Sequence, residues 1–232
     1  LYQPAVGFSR RMAGVSPLLG TSWGQRSPYN ALCPVTDGTP TPAGCVPVAF
    51  AQIMRYYRFP PAGIGNPTLL WVNGTNEILL RAEQSRNLYT WDSMPPMPST
   101  AAEGREIARL IYHIGLVCQT EYAAGGSGTT IYSDDLIRNF FGYRFVRVDA
   151  PANRTAFADS VSRMLRAGHP IYMSANFHAF VIDGMDANGL VHVNWGWDGA
   201  YDGYYHLDNL RPGTYDYRTS QKYASIFHPD TS

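Results

Sequence analysis

Three cysteines in 232 residues are too few for a disulfide scaffold, and Cys33, Cys45 and Cys118 lack the spacing of a metal site. Because the set is odd, at least one thiol stays unpaired. Cys33 and Cys118 are either two small interior thiols or a single disulfide. Charge is scarce too: 16% of residues are charged and the formal net charge is zero, so electrostatics give no reason to expect nucleic acid or an anionic membrane as partner. No apolar run approaches the roughly 20 residues a membrane-spanning helix needs, and no charged-then-apolar signal segment opens the chain. Few Lys and Glu beside much Tyr, Trp, Gly and Asn is a secreted-protein composition. The length suits one folding unit, residues 1–232, with a real core.

What is present starts at AGCVPVAFAQIM, residues 43–54. Val46, Ala49, Phe50, Ile53, Met54 and Tyr57 recur at the spacing of one buried helical face, which predicts a helix over about 46–58 with Cys45 near its positive end. Pro47 fits the first turn, where amides lack intrahelical partners, and Pro60-Pro61 stops the helix. Residues 1–30 read as irregular chain running over the surface. Asn73-Gly74 predicts a hairpin with a type I′ turn. Thr100 and Glu103 have capping-box spacing before the stripe Ile107, Leu110, Ile111 and Ile114. TEYAAGGSGTT reads as a flexible surface loop. Two more helices, about Ser133–Phe141 and Thr155–Ala167, end at Gly142 and Gly168. After Pro170 the runs PIYMSA, HAFVIDGM, GLVHVNWG and GYYHLDNL are β-branched and aromatic, separated by turn residues, and predict an antiparallel sheet. Helices first and strands later make the class α+β: a mainly helical lobe of about 15–165 packed on a mainly β lobe of about 166–232.

A thiol is a strong nucleophile only as thiolate, and a helix terminus supplies at most about 2 kcal/mol of the roughly 6 needed to bring its pKa from ~8.5 to about 4. A cation must therefore stand close to Cys45. Of the six histidines, His113, His169 and His228 fall on a helix, in a helix-stopping turn and near the chain end, and His192 and His206 alternate with apolar neighbours on strands. His178 opens a strand whose hairpin partner ends in Asn194 and Trp195. Asn194 is expected to accept a hydrogen bond from the imidazole, and Trp195 to cover that bond. The Cys45 amide and the Gln25 side chain are the expected oxyanion donors. Two other functions use the same residues. One is acyl transfer of the transglutaminase type. The other is a non-catalytic carbohydrate-binding module, with Trp195, Trp197, Tyr201, Tyr204 and Tyr205 as an aromatic surface and Asp198 and Asp202 holding calcium.

Gln25, GCVPVAFAQIMRYYRFP, HAFVIDGMD and HVNWGWDGAYDGYYHLDNL together resemble the streptopain family of papain-fold cysteine peptidases, streptopain- and interpain-like enzymes, from about Val15 onward. The resemblance implies a papain-like fold with a cleft between the lobes. It implies a secreted, extracellular bacterial endopeptidase of the virulence-factor kind, acting on protein and peptide substrates, made as a zymogen and inhibited by its own N-terminal propeptide. It also implies no metal or organic cofactor, with Cys45 as nucleophile, His178 as base and acid, Asn194 and Trp195 as supports and Gln25 in the oxyanion hole. Residues 1–14 would be an N-terminal extension or propeptide remnant. Where streptopain has a glycine pair before the histidine, this chain has Asn176-Phe177.

Overall fold

The structure is a computed structural model that describes residues 13–130, 135–149, 154–217 and 223–230. A two-residue ribbon, β1 (Val35–Thr36) and β2 (Thr39–Pro40), precedes helix α1 (Cys45–Tyr57). The hairpin β3 (Thr68–Asn73) and β4 (Asn76–Arg81) follows, then α2 (Ala101–Val117), α3 (Asp135–Phe141), β5 (Tyr143–Asp149) and α4 (Arg154–Arg166). The remaining strands are β6 (Ile171–Ala175), β7 (His178–Met185), β8 (Val191–Asn194), β9 (Gly203–Tyr205) and β10 (Tyr223–Pro229). They form one antiparallel six-stranded sheet in the order β5-β10-β6-β7-β8-β9. The class is α+β, as expected. No helix among the described residues is long and apolar enough to cross a membrane.

Strand periodicity assigns the two faces of this sheet. In β7, Ala179 and Val181 point to the core shared with α1 and α2, while Phe180 and Ile182 point to the core under α4, which Phe157, Val161 and Leu165 complete. Helix α1 is seated by Phe50, which stacks on Phe227 at 4.8 Å and meets Tyr172 at 4.8 Å. The capping box of α2 is present, Thr100 accepting from Glu103 N–H and Glu103 reaching back to the Thr100 amide, and the expected stripe is fully buried. Gly142 and Gly168 take φ of +66° and +80° at the ends of α3 and α4. Ser133 lies outside the described residues.

Four expectations change. The chain around residues 15–30 is not merely superficial: Val15 bridges to Met185, Leu18 N–H donates to Asp183 O at 2.8 Å, and Trp23 is wholly buried, its indole donating to Pro95 O at 3.0 Å. The β3–β4 turn is centred on Gly74-Thr75 with positive φ only at Gly74, so it is not the type I′ turn that Asn73-Gly74 suggests. The loop after Thr120 is pinned: Glu121 bridges to Gly128, and Ser127 Oγ donates to Pro42 O at 2.5 Å. Strands β5 and β10 were not among the expected strands, and β10 inserts between β5 and β6, a non-local pairing that local sequence pattern does not encode.

Candidate active site

Cys45 is the first residue of α1. Its N-cap is Gly44 at φ +91°, and no side chain caps this end of the helix. The glycine is required there because a left-handed φ penalises any side chain. With no side-chain cap the first helical amides are left without intrahelical partners, and the N–H groups of Val46 and of Cys45 itself point at the sulfur. A third N–H reaches it from β7, that of Ala179, the residue after His178. Cys45 is partly exposed, whereas Cys33 and Cys118 are buried free thiols, which settles the disulfide alternative. Burial pushes the Cys45 thiol up, and the three amides pull it down.

His178 begins β7 immediately after a two-residue turn and is buried. Its Nε2 lies 2.9 Å from the carbonyl oxygen of Trp195. A carbonyl only accepts, so Nε2 carries the proton and Nδ1 holds the lone pair of the neutral ring. Trp197 stacks on the imidazole at 4.7 Å and Trp195 at 6.3 Å, while Tyr217 meets it tilted at 5.3 Å. This aromatic enclosure desolvates the ring and pushes its pKa down to about 4, a shift the Trp195 carbonyl opposes. Tyr217 also feels the charge of Cys45, which sets both groups around one small volume.

Asn194 does not take the place expected for it. It pairs with Val181, and alternation therefore turns its side chain to the α1 face while His178 and Trp195 lie on the other. Its amide oxygen instead accepts from Gln52 Nε2 at 2.9 Å and from Gly196 N–H at 3.1 Å, and its Nδ2 donates to Thr21 O at 2.7 Å. The carbonyl of Trp195 fills the role of imidazole acceptor, and Trp197 rather than Trp195 is the nearest covering ring. Gln52, two turns along α1 from Cys45, is fully buried and also accepts from Thr21 Oγ1 at 2.8 Å and Trp23 N–H at 3.1 Å. Its signal in the sequence was a polar side chain inside an apolar helix.

Gln25 is half-buried. Its backbone carbonyl accepts from Ala43 N–H at 2.8 Å, which ties its loop to the chain just before Cys45, and its side-chain amide makes no hydrogen bond among the described residues. Asp198 packs so closely on Gly24 that a Cβ there would lie 2.3 Å from its carboxylate. Asp202 accepts from Trp195 N–H at 2.8 Å, and burial pushes its carboxyl up to about 6. Among the described residues no group of three or more His, Cys, Asp or Glu is arranged to hold a metal ion. Trp195 is wholly buried and so is no part of an aromatic surface, whereas Tyr201 and Tyr204 are exposed.

The model of the peptidase C10 family matches residues 23–205. Streptopain of Streptococcus pyogenes is 31% identical over 226 residues, covering 83% of this chain and 55% of that protein. The thiol protease/hemagglutinin PrtT of Porphyromonas gingivalis is 27% identical over 223 residues, covering 87% of this chain and 26% of that protein. The chain thus spans about half or less of these relatives' lengths. The structure of active wild-type interpain A, a cysteine protease of Prevotella intermedia, superposes with a TM-score of 0.82 at 32% identity and covers 97% of this chain and 98% of that one.

Proposed function

The chain belongs to the peptidase C10 family, and from that premise we propose that it is a secreted cysteine endopeptidase cutting proteins through a thioester acyl-enzyme. Cys45 is the nucleophile, His178 the base and acid, and Trp195 the support of the imidazole through its carbonyl. Asn194 supports it at one remove, through the Gly196 amide, and Gln25 with the Cys45 amide holds the oxyanion. The observation that carries this reading is the sulfur at an uncapped helix start, touched by the amide that follows a histidine whose Nε2–H is already committed.

Alone, each group favours its neutral form, since burial pushes the thiol up and the imidazole down to about 4. One proton moving from sulfur to Nδ1 creates both charges together. Two unit charges about 4 Å apart gain about 4 kcal/mol at an effective dielectric of ~20, or about 3 pKa units. That matches the depression burial imposes on the ring, while the rise of the thiol is opposed only in part by the three amides at the sulfur, so the two charges can form only together and never as separate ions.

The thiolate attacks the scissile carbonyl carbon, and the oxyanion is held by the Cys45 amide and Gln25. The C–N bond breaks as imidazolium protonates the leaving amine. Water, giving its proton to the imidazole, then attacks the thioester, and the thiol departs with that proton. The segment that inhibits the enzyme before activation is its own N-terminal propeptide, a reading supported by the prointerpain A fragment of Prevotella intermedia, 35% identical with a TM-score of 0.78. Residues 1–12 of the proposed extension lie outside the described residues. Two lobes, about 15–165 and 166–232, would flank the cleft, with β5 and α4 of the first stretch packed into the sheet and core of the second. Casein cleavage with thiol present tests the reading: Cys45→Ala should abolish it, and His178→Ala should lower it by a similar factor because the two act as a unit. Parental rates from Cys45→Ala would refute it.

A further inference from the structure

Asn176 and Phe177 form the turn between β6 and β7, with Ala175 paired to His178 across it. Both residues have positive φ, 46° and 63°. This is the type I′ condition, whose usual chemistry is Asn followed by Gly. Asn176 follows it, and its side chain donates to Asp216 O at 2.9 Å, pinning the turn to the segment carrying Tyr215 and Tyr217. Phe177 breaks it. Its side chain is 99% exposed, so the folded chain gains nothing from the ring, and its backbone sits where a Cβ is penalised.

The other tight hairpin turns respect this rule. Gly74 and Gly189 provide the positive φ at the β3–β4 and β7–β8 connections. A bulky, exposed ring at the glycine position of a two-residue hairpin turn, with no internal compensation and one residue from the candidate base, marks a position selected for something outside the chain. The surroundings indicate what that is. Trp197, stacked on His178, lies 5.0 Å from Tyr215, which is half exposed, and the Tyr201 ring, also half exposed, meets Trp197 edge-on. Apolar surface therefore continues from the imidazole outward, and Phe177 sits in the turn that Asn176 ties to Asp216, between Tyr215 and Tyr217.

We infer that Phe177 is a specificity-determining residue, whose ring covers an apolar side chain of the peptide substrate within two residues of the scissile bond. The inference rests on the peptidase reading for which bond is cut, while the contact itself can be measured without cleavage. Two arms separate them. In the Cys45→Ala protein, peptides differing only in Leu, Phe, Val, Ala or Ser at the positions flanking the cut are titrated with and without Phe177→Gly. In the cleaving protein the same peptides give kcat/KM. Phe177→Gly should lower the ratio of apolar to small side-chain preference about tenfold in both arms, and Phe177→Leu should retain most of it. The glycine variant should also melt about 2–4 °C higher, because it relieves the left-handed backbone.

An unchanged preference, an equal loss across all peptides, or no peptide binding to the Cys45→Ala protein overturns the inference. Failure of the parent to cleave while the binding preference still depends on Phe177 sinks the peptidase reading and leaves the contact standing.

Discussion

Gln52→Leu removes the polar node that joins α1 to the loop supporting His178, and its effect can be worked from the bonds it breaks. Trp23 N–H and Thr21 Oγ1 lose their acceptor outright, whereas Asn194 keeps Gly196 N–H on its oxygen and Thr21 O on its nitrogen. Orphaned buried groups cost about 1–3 kcal/mol each. The hydroxyl can turn to another acceptor and the leucine gains some apolar burial, which leaves a net loss of about 3 kcal/mol. Against a total stability of about 5–15 kcal/mol the variant remains folded, with Tm lowered by roughly 6–12 °C. Activity should fall further than stability alone requires, about 10- to 100-fold in kcat, because Asn194 anchors the Gly196 amide one residue beyond the carbonyl that holds the imidazole. Urea unfolding in the Cys45→Ala background and peptide hydrolysis in the active one provide the two numbers. Stability within about 0.5 kcal/mol of the parent together with unchanged kcat would refute the claim that this network positions the site.

His113 is buried, is hydrogen-bonded to Tyr89 OH at 2.8 Å through Nδ1, and has its pKa pushed down to about 4 by burial and then by the Arg109 charge. The unfolded state binds the proton from pH 6.5 downward and the folded state does not, so this contribution is full above about pH 6.5. It is lost by roughly 3 kcal/mol as pH falls towards 4. His113→Gln should remove close to one proton from the pH slope of urea stability measured in the Cys45→Ala background. Asp202, whose carboxyl is pushed up to about 6 by burial despite the Trp195 amide and the nearby His192 charge, and further raised by Asp183, should accept most strongly above that pH. Asp202→Asn keeps an acceptor and should flatten the acid limb of kcat near pH 6, while Asp202→Ala should lower kcat at every pH; a limb unchanged in both variants would show that Asp202 does not act on the Trp195 segment.

Much of this site was legible because its parts are announced locally. Cys45 precedes a helical stripe with Pro47 in the first turn, and His178 opens a β-branched run before a turn. The capping box at Thr100 needed only a spacing of three. Register was not legible. The sequence placed Asn194 beside His178 because hairpin strands return, but the pairing of Asn194 with Val181 is decided by the bulge between Ile182 and Gly184, and one step of register exchanges the faces. Backbone groups were invisible for a simpler reason: the Trp195 carbonyl and the Ala179 amide carry no signature in residue type. The six-stranded order was equally hidden, since β10 pairs with strands some 50 and 80 residues upstream, and no local pattern specifies such partners.

The loop that carries the imidazole acceptor is locally unfavourable, and its anchors explain why it persists. Gly196, Asp198, Gly199 and Tyr201 all take positive φ, 70°, 56°, 79° and 65°, and the two that are not glycine cost about 1–2 kcal/mol each. Left alone, such a segment would relax and carry the Trp195 carbonyl away from Nε2. Three bonds oppose that: Asp202 accepts from the Trp195 amide, Asn194 from the Gly196 amide, and Gln52, on the helix that bears Cys45, donates to Asn194. The second and third run in series from the helix of Cys45 to the peptide beside the His178 imidazole. Cys45 and His178 therefore sit on different elements but share a rigid reference through α1, and displacement of that helix would move sulfur and imidazole support together rather than apart.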